Sequence, residues 1–211
     1  MRYCIIFLLL FITACSMSEK SAPASQPPST DLGVLSVTPV DLFAGDAEKF
    51  KPFLGSEAGA VKLEYEGSKT KIKVETEIWE NGKKVQTVQT MASNIRDMDK
   101  QGNFNGEFII SAQQEQGTDE NFQYDLNLVL FQQGKGYTSM KGSIPKDKKY
   151  TAQMPIKMNG KVAVPDDESA VVWGIQATDQ NSLSSYGSVE ETLSKARWAL
   201  IARISLEGEG K

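Results

Sequence analysis

The chain has 211 residues, of which 40% are apolar and 24% charged, with a formal net charge of −4 and no histidine. So mild an acidity is the wrong footprint for nucleic acid, and for a basic patch that clings to anionic headgroups. The lack of histidine removes the usual general base, the commonest metal ligand and any Ser-His-Asp triad.

The first element in chain order is a leader. Met1-Arg2-Tyr3 gives a positive start, Cys4 to Ile12 an apolar run, and Thr13-Ala14 a small-residue end before Cys15. That order is the pattern of a secretory signal peptide, and the run falls short of the roughly 20 apolar residues a spanning helix needs. Ile12-Thr13-Ala14-Cys15 resembles the lipobox of bacterial prolipoproteins, with Ile where Leu is commonest. The resemblance implies transfer of a diacylglyceryl group to the Cys15 sulfur, cleavage after Ala14 and fatty acylation of the new amino group. Residues 1–14 are then signal peptide, and the membrane is a partner through lipid alone. Two or more acyl chains hold firmly, because each buried methylene contributes about 0.8 kcal/mol. Cys4 leaves with the leader, so Cys15 is the one cysteine of the processed chain and no disulfide framework is expected.

Residues 15–38 are expected to be a tether. Pro23, Pro27 and Pro28 interrupt a run of Ser, Ala and Gln with few large apolar residues. Such a tether would lift the domain off the headgroups, reaching roughly 70 Å when fully stretched. Residues 39–211 have the length of one domain.

That domain reads as all-β, an antiparallel β-sandwich of about eight strands with one short helix near the C-terminus. An immunoglobulin-like arrangement and a closed barrel both stay open. Period-two alternation is the signal. Ile72, Val74, Thr76 and Ile78 share one face, and Lys71, Lys73, Glu75 and Glu77 the other. Leu63 and Tyr65 alternate with charge just before, across a Gly67-Ser68 turn. Asn81-Gly82 then marks a hairpin, since both residues tolerate positive φ. Further strands are expected over 84–92, 107–113, 122–132, 137–142, 170–178 and 198–206. Residues 145–168, with Pro145, Pro155 and Pro165, read as a long surface connection containing short extended pieces. A short turn is expected from Asp46, stopping before Pro52. Ser188-Val189-Glu190-Glu191 is a capping box that opens a helix with Val189, Leu193 and Ala196 on one face. Strands around Trp79-Glu80-Asn81-Gly82-Lys83, a capped helix and a Trp-led last strand together resemble uncharacterised lipoproteins of Gram-positive bacteria. The resemblance implies no activity.

Candidate chemistry is thin. Ser143-Ile144-Pro145-Lys146 and Ser68-Lys69-Thr70-Lys71 have Ser-x-x-Lys spacing, which works on a helix and is spoiled by a strand or a proline. Asp97, Asp99, Gln101 and Asn103 have the odd-position spacing of a calcium loop. Gln101 stands where Asp or Asn is wanted, and Phe108 where a bidentate Glu belongs. A polar hairpin loop explains the same residues, so no cofactor is expected and calcium is the alternative. Asp166-Asp167-Glu168 reads as a solvated turn. Among the tryptophans, Trp173 reads as core, whereas Trp79, near a hairpin tip, is the candidate ligand contact. The expectation is a lipid-anchored, extracytoplasmic, non-catalytic binding module with an envelope protein as partner. A carboxylate-based envelope hydrolase and a small solute-binding lipoprotein are the alternatives.

Overall fold

Alternation becomes burial along each strand. A computed structural model of the chain describes residues 33–95, 103–116 and 121–208. All of them lie within the compact unit Asp31–Lys211. The leader, Cys15 and most of the tether fall outside the described residues, as do Asp97, Asp99 and Gln101 of the expected calcium loop. Asn103 is described and sits half-buried just ahead of a strand.

Eleven strands form: β1 Val34–Val40, β2 Gly59–Glu66, β3 Lys71–Glu80, β4 Lys83–Asn94, β5 Phe104–Gln116, β6 Asn121–Gln132, β7 Gly136–Asp147, β8 Ala152–Pro155, β9 Val162–Pro165, β10 Ser169–Thr178 and β11 Trp198–Glu207. They build a six-stranded sheet, order β7-β6-β5-β2-β1-β9, and a five-stranded sheet, order β4-β3-β11-β10-β8. Every pairing is antiparallel. The fold is an all-β sandwich. Its core lies between the sheets, where Leu35, Val37, Leu63 and Leu128 from one meet Ile72, Ile175, Leu200 and Ile204 from the other.

The Asn-Gly hairpin forms as the sequence predicts, with Asn81 at φ 50° and Gly82 at φ 75°. Gly82 is needed twice over, since a Cβ there would also meet the Ser194 carbonyl oxygen. The Ser188 cap forms too, while the Glu191 carboxylate takes the Gly187 N–H and the Lys195 ammonium and not the Ser188 N–H. Helix α2, Val189–Lys195, starts at Ser188, whose hydroxyl accepts the Glu191 N–H at 3.0 Å. Val189, Leu193 and Ala196 lie against Ile201, Ala199, Val171 and Ile156 on the outer side of the five-stranded sheet. Gly174 makes room there, its Cα hydrogen facing Ile201 and Ile156.

Several expectations need correction. The tether is shorter than read, because Val34–Val40 is already strand β1, with Leu35 and Val37 in the core. Pro39 is accommodated in β1 because β9 pairs only with Val34 to Val37, so Pro39 sits where β1 has no neighbour on that side. Strand β7 runs through Pro145 to Asp147 for the same reason, since it is the edge of its sheet. The surface connection contains β8 and β9, each only four residues long. The turn at Asp46 does not stop before Pro52. A 3-10 helix, Gly45–Phe50, leads into α1, Lys51–Leu54, where Pro52 falls in the first turn and costs no intrahelical bond.

Two carboxylates placed in solvent are buried. Asp166 accepts the Gly33 N–H at 3.1 Å and the Tyr65 hydroxyl at 2.8 Å, pinning the start of β1 to the β9–β10 turn. Burial, with Asp166 beside it, pushes the Tyr65 hydroxyl up to about 12 against a hydrogen bond from the Lys69 N–H. Glu77 is buried on the supposedly wet side of β3. A register shift next to it and three donors account for this: Lys84 Nζ at 2.7 Å, the Trp79 indole N–H at 2.8 Å and Arg203 Nε at 3.2 Å. Burial pushes its carboxyl up, but those hydrogen bonds and charges outweigh it and hold the group below the usual range.

Candidate binding surface on the open sheet

The outer side of the six-stranded sheet has a different character. Inward residues of β6 are Tyr124, Leu126, Leu128 and Leu130, so Asp125, Asn127, Val129 and Phe131 face out. Register carries each of these across the sheet. Glu107, Phe131 and Tyr137 form one row, then Ile109, Val129 and Ser139. Next come Ser111, Asn127 and Lys141, and finally Gln113, Asp125 and Ser143. Ile109 and Val129 are half-buried, while Phe131 is 39% and Tyr137 72% exposed. Two exposed aromatics opposite one another contribute little to the fold, and the rows beyond them are polar, with Ser111 buried and Gln113 and Asn127 half-buried.

A wall stands over those polar rows. The β1–β2 connection carries α1 onto the sheet, where the Ser111 hydroxyl donates to the Leu54 carbonyl at 2.6 Å and the Gln113 amide donates to that of Phe53. Further along, the Trp173 indole N–H donates to the Glu57 carbonyl at 3.0 Å. Gly55 closes α1 at φ 84°, its N–H bonded to the Lys51 carbonyl at 2.9 Å. Three side chains from two strands, β5 and β10, thus hold backbone carbonyls of one loop, which fixes the wall before any ligand arrives. Between wall and sheet lies a groove of about 470 Å³, lined by Phe53, Gln113, Asp125, Asn127, Lys141 and Ser143 among others. Phe53 is 75% exposed.

The wall is also tied from within. Lys146 Nζ, buried between the sheets, donates to Gln153 Oε1 at 2.7 Å and to Gln114 Oε1 at 3.0 Å, and lies 5.2 Å from the Tyr124 ring centre. The Gln153 amide donates in turn to Glu57 Oε1, and Glu57 Oε2 is buried without a partner. Burial pushes the Glu57 carboxyl up, and the Lys146 charge pulls it back only in part. Burial draws the Lys146 ammonium down, against the charge of Glu57. The Tyr124 hydroxyl, buried and facing Glu57, is raised.

The residues singled out by sequence are scattered relative to this groove. Ser143 and Lys146 lie on opposite sides of β7, Ser143 donating to Asp125 at 2.7 Å and Lys146 in the core, so they make no Ser-Lys pair. Trp79 is half-buried, held by Glu77 and packed against the cluster under α2, while Trp173 is core. Among the described residues no cluster of three or more carboxylate or thiol groups is placed to hold a metal, and no helix is long and apolar enough to cross a membrane. Sequence reasoning missed Phe53, Phe131, Tyr137, Asn127 and Lys141. A signal for one of them was present: Phe131 occupies an outward parity position on a strand whose inward positions from Phe122 to Leu130 are all aromatic or aliphatic. Comparison with family models, curated proteins and solved structures finds no match.

Proposed function

We propose that the chain is an extracytoplasmic lipoprotein, anchored through lipid on Cys15, whose sandwich is a non-catalytic module that docks an envelope protein. The observation that carries the docking reading is the pair Phe131 and Tyr137, exposed among the described residues beside the half-buried Ile109 and Val129. Aromatic residues at the centre and charge at the rim, here Lys62, Glu107 and Lys135, are what protein interfaces favour. The anchor rests on the Ile12-Thr13-Ala14-Cys15 resemblance.

Photo-crosslinking from position 137 in cells tests the docking. One discrete envelope-protein adduct is expected, lost on Phe131→Ala, while a crosslinker at Glu190 beside α2 gives none. Equal yields from 137 and 190 would count against the reading. Mass spectrometry of the processed chain tests the anchor: an amino-terminal Cys15 carrying diacylglyceryl is expected, and a free thiol there overturns it.

A further inference from the structure

The groove under Phe53 has a composition that the aromatic pair does not share. Its floor is polar, set at strand spacing by Asn127, Lys141 and Asp125, and its wall is one aromatic ring. Asn127 and Lys141 have no side-chain partner within the described protein, so their donors are directed at solvent in the groove. Asp125 and Gln113 are already oriented, one by the Ser143 hydroxyl and the other by the Phe53 carbonyl. The register also separates the groove from the first described residue. Gly33 enters at the end where Val34 pairs with Glu66, and the Gln113 row lies roughly 30 Å further along the strands.

A pyranose ring fits this arrangement. One side of the ring presents C–H bonds that complement the electron-rich surface of an aromatic ring, and its edge presents hydroxyls or acetamido groups for amide and carboxylate partners. Lys141, which no carboxylate neutralises, calls for an anionic substituent. A volume of about 470 Å³ suits one or two sugar units. We propose that the groove binds a short acetamido glycan bearing a carboxylate, the sugar stacked on Phe53, its carboxylate on Lys141 and its hydroxyl and amide groups on Asn127 and Asp125. This site is separate from the aromatic pair offered above as a protein-docking surface, and either can fail without the other.

The test uses the processed chain in detergent micelles and two probes, N-acetylglucosaminyl-N-acetylmuramic acid and the neutral chitobiose, followed by calorimetry. Saturable binding of the acidic disaccharide is expected, at least about tenfold tighter than chitobiose. Lys141→Ala should erase the difference between the probes, and Phe53→Ala should weaken both by about tenfold. Phe131→Ala should change neither. All three positions are exposed, so melting curves should coincide with the parent's and certify the fold. Absence of saturable binding by either probe, or equal binding by the Lys141→Ala and parent chains, overturns the proposal.

Discussion

The sandwich has two outer sides, and they treat apolar residues in opposite ways. The five-stranded sheet turns Val171, Ala199, Ile201 and Trp79 outward and then covers them with α2 and Ile156. The six-stranded sheet turns Ile109, Val129, Phe131 and Tyr137 outward and leaves the last two open. Under cover, Glu77 is met by Lys84, Trp79 and Arg203. On the open side Lys62 and Glu64 pair with each other, while Lys141 makes no ion pair within the described protein. Residues of the covered side are explained by the stability they supply, whereas Phe131, Tyr137 and Lys141 make no comparable contact, and that is why the functional argument rests on them.

The largest expected effect tests this division directly. Leu193→Ala removes a buried side chain from beneath α2 and should lower unfolding free energy by about 2–5 kcal/mol. Phe131→Ala, which deletes more atoms from the open side, should stay within about 0.5 kcal/mol of the parent. Urea denaturation of both chains gives the answer. Comparable losses would mean that the open aromatics are structural after all, and the docking argument would go with them.

How much of this was legible beforehand follows the range of each interaction. Hairpin and helix were readable because their causes are local: Asn81-Gly82 supplies its own backbone geometry, and Ser188 caps a helix three residues away. Strands with clean alternation, such as β3 and β6, were readable for the same reason. The miss at Pro52 is local, a proline that fits a first turn and does not act as a stop, but the others depend on partners distant in sequence. Asp166 is buried because Gly33 and Tyr65 come to it, from 133 and 101 residues away. Glu77 is buried because Arg203 arrives from 126 residues away. Proline at 39 and 145 is tolerated because those stretches lack a neighbour on one side, which only strand order reveals. The groove depends on which loop crosses which sheet, and no local pattern around Phe53 states that.

An intermediate effect concerns Glu77, which sits under cover with a carboxyl held below its ordinary value. A depressed folded value means that its stabilisation is present above the unfolded value near 4.5 and is lost as pH falls through the folded one. Glu77→Gln should therefore cost about 1–3 kcal/mol at pH 7, and the cost should shrink on acidification. Melting temperatures of parent and variant between pH 7 and pH 3 should converge towards the acid end. A gap that stays constant with pH would show that lost packing, and not lost charge, is responsible.

The smallest expected effect has the opposite sign and belongs to the wall of the groove. Burial raises the Glu57 carboxyl, so the folded chain takes up a proton there at a pH where the unfolded chain does not. Its contribution to stability is then complete below the unfolded value near 4.5 and is lost as pH rises through the folded value. Glu57→Gln keeps an acceptor for the Gln153 amide and removes the charge that burial disfavours. The variant should melt about 2 °C above the parent at pH 7 and level with it near pH 4, a shift that corresponds to about 0.5–1 kcal/mol for a domain of this size. Lys146 sharpens the comparison, because its ammonium is itself drawn down by burial and loses an opposing charge in the variant, while Gln114 and Gln153 still accept its hydrogen bonds. If the variant instead melts lower at pH 7, the attraction of the Lys146 charge outweighs the cost of burying the carboxylate. The wall would then be held by charge, as Glu77 holds the covered side, and the contrast in how the two sides use their carboxylates would not stand.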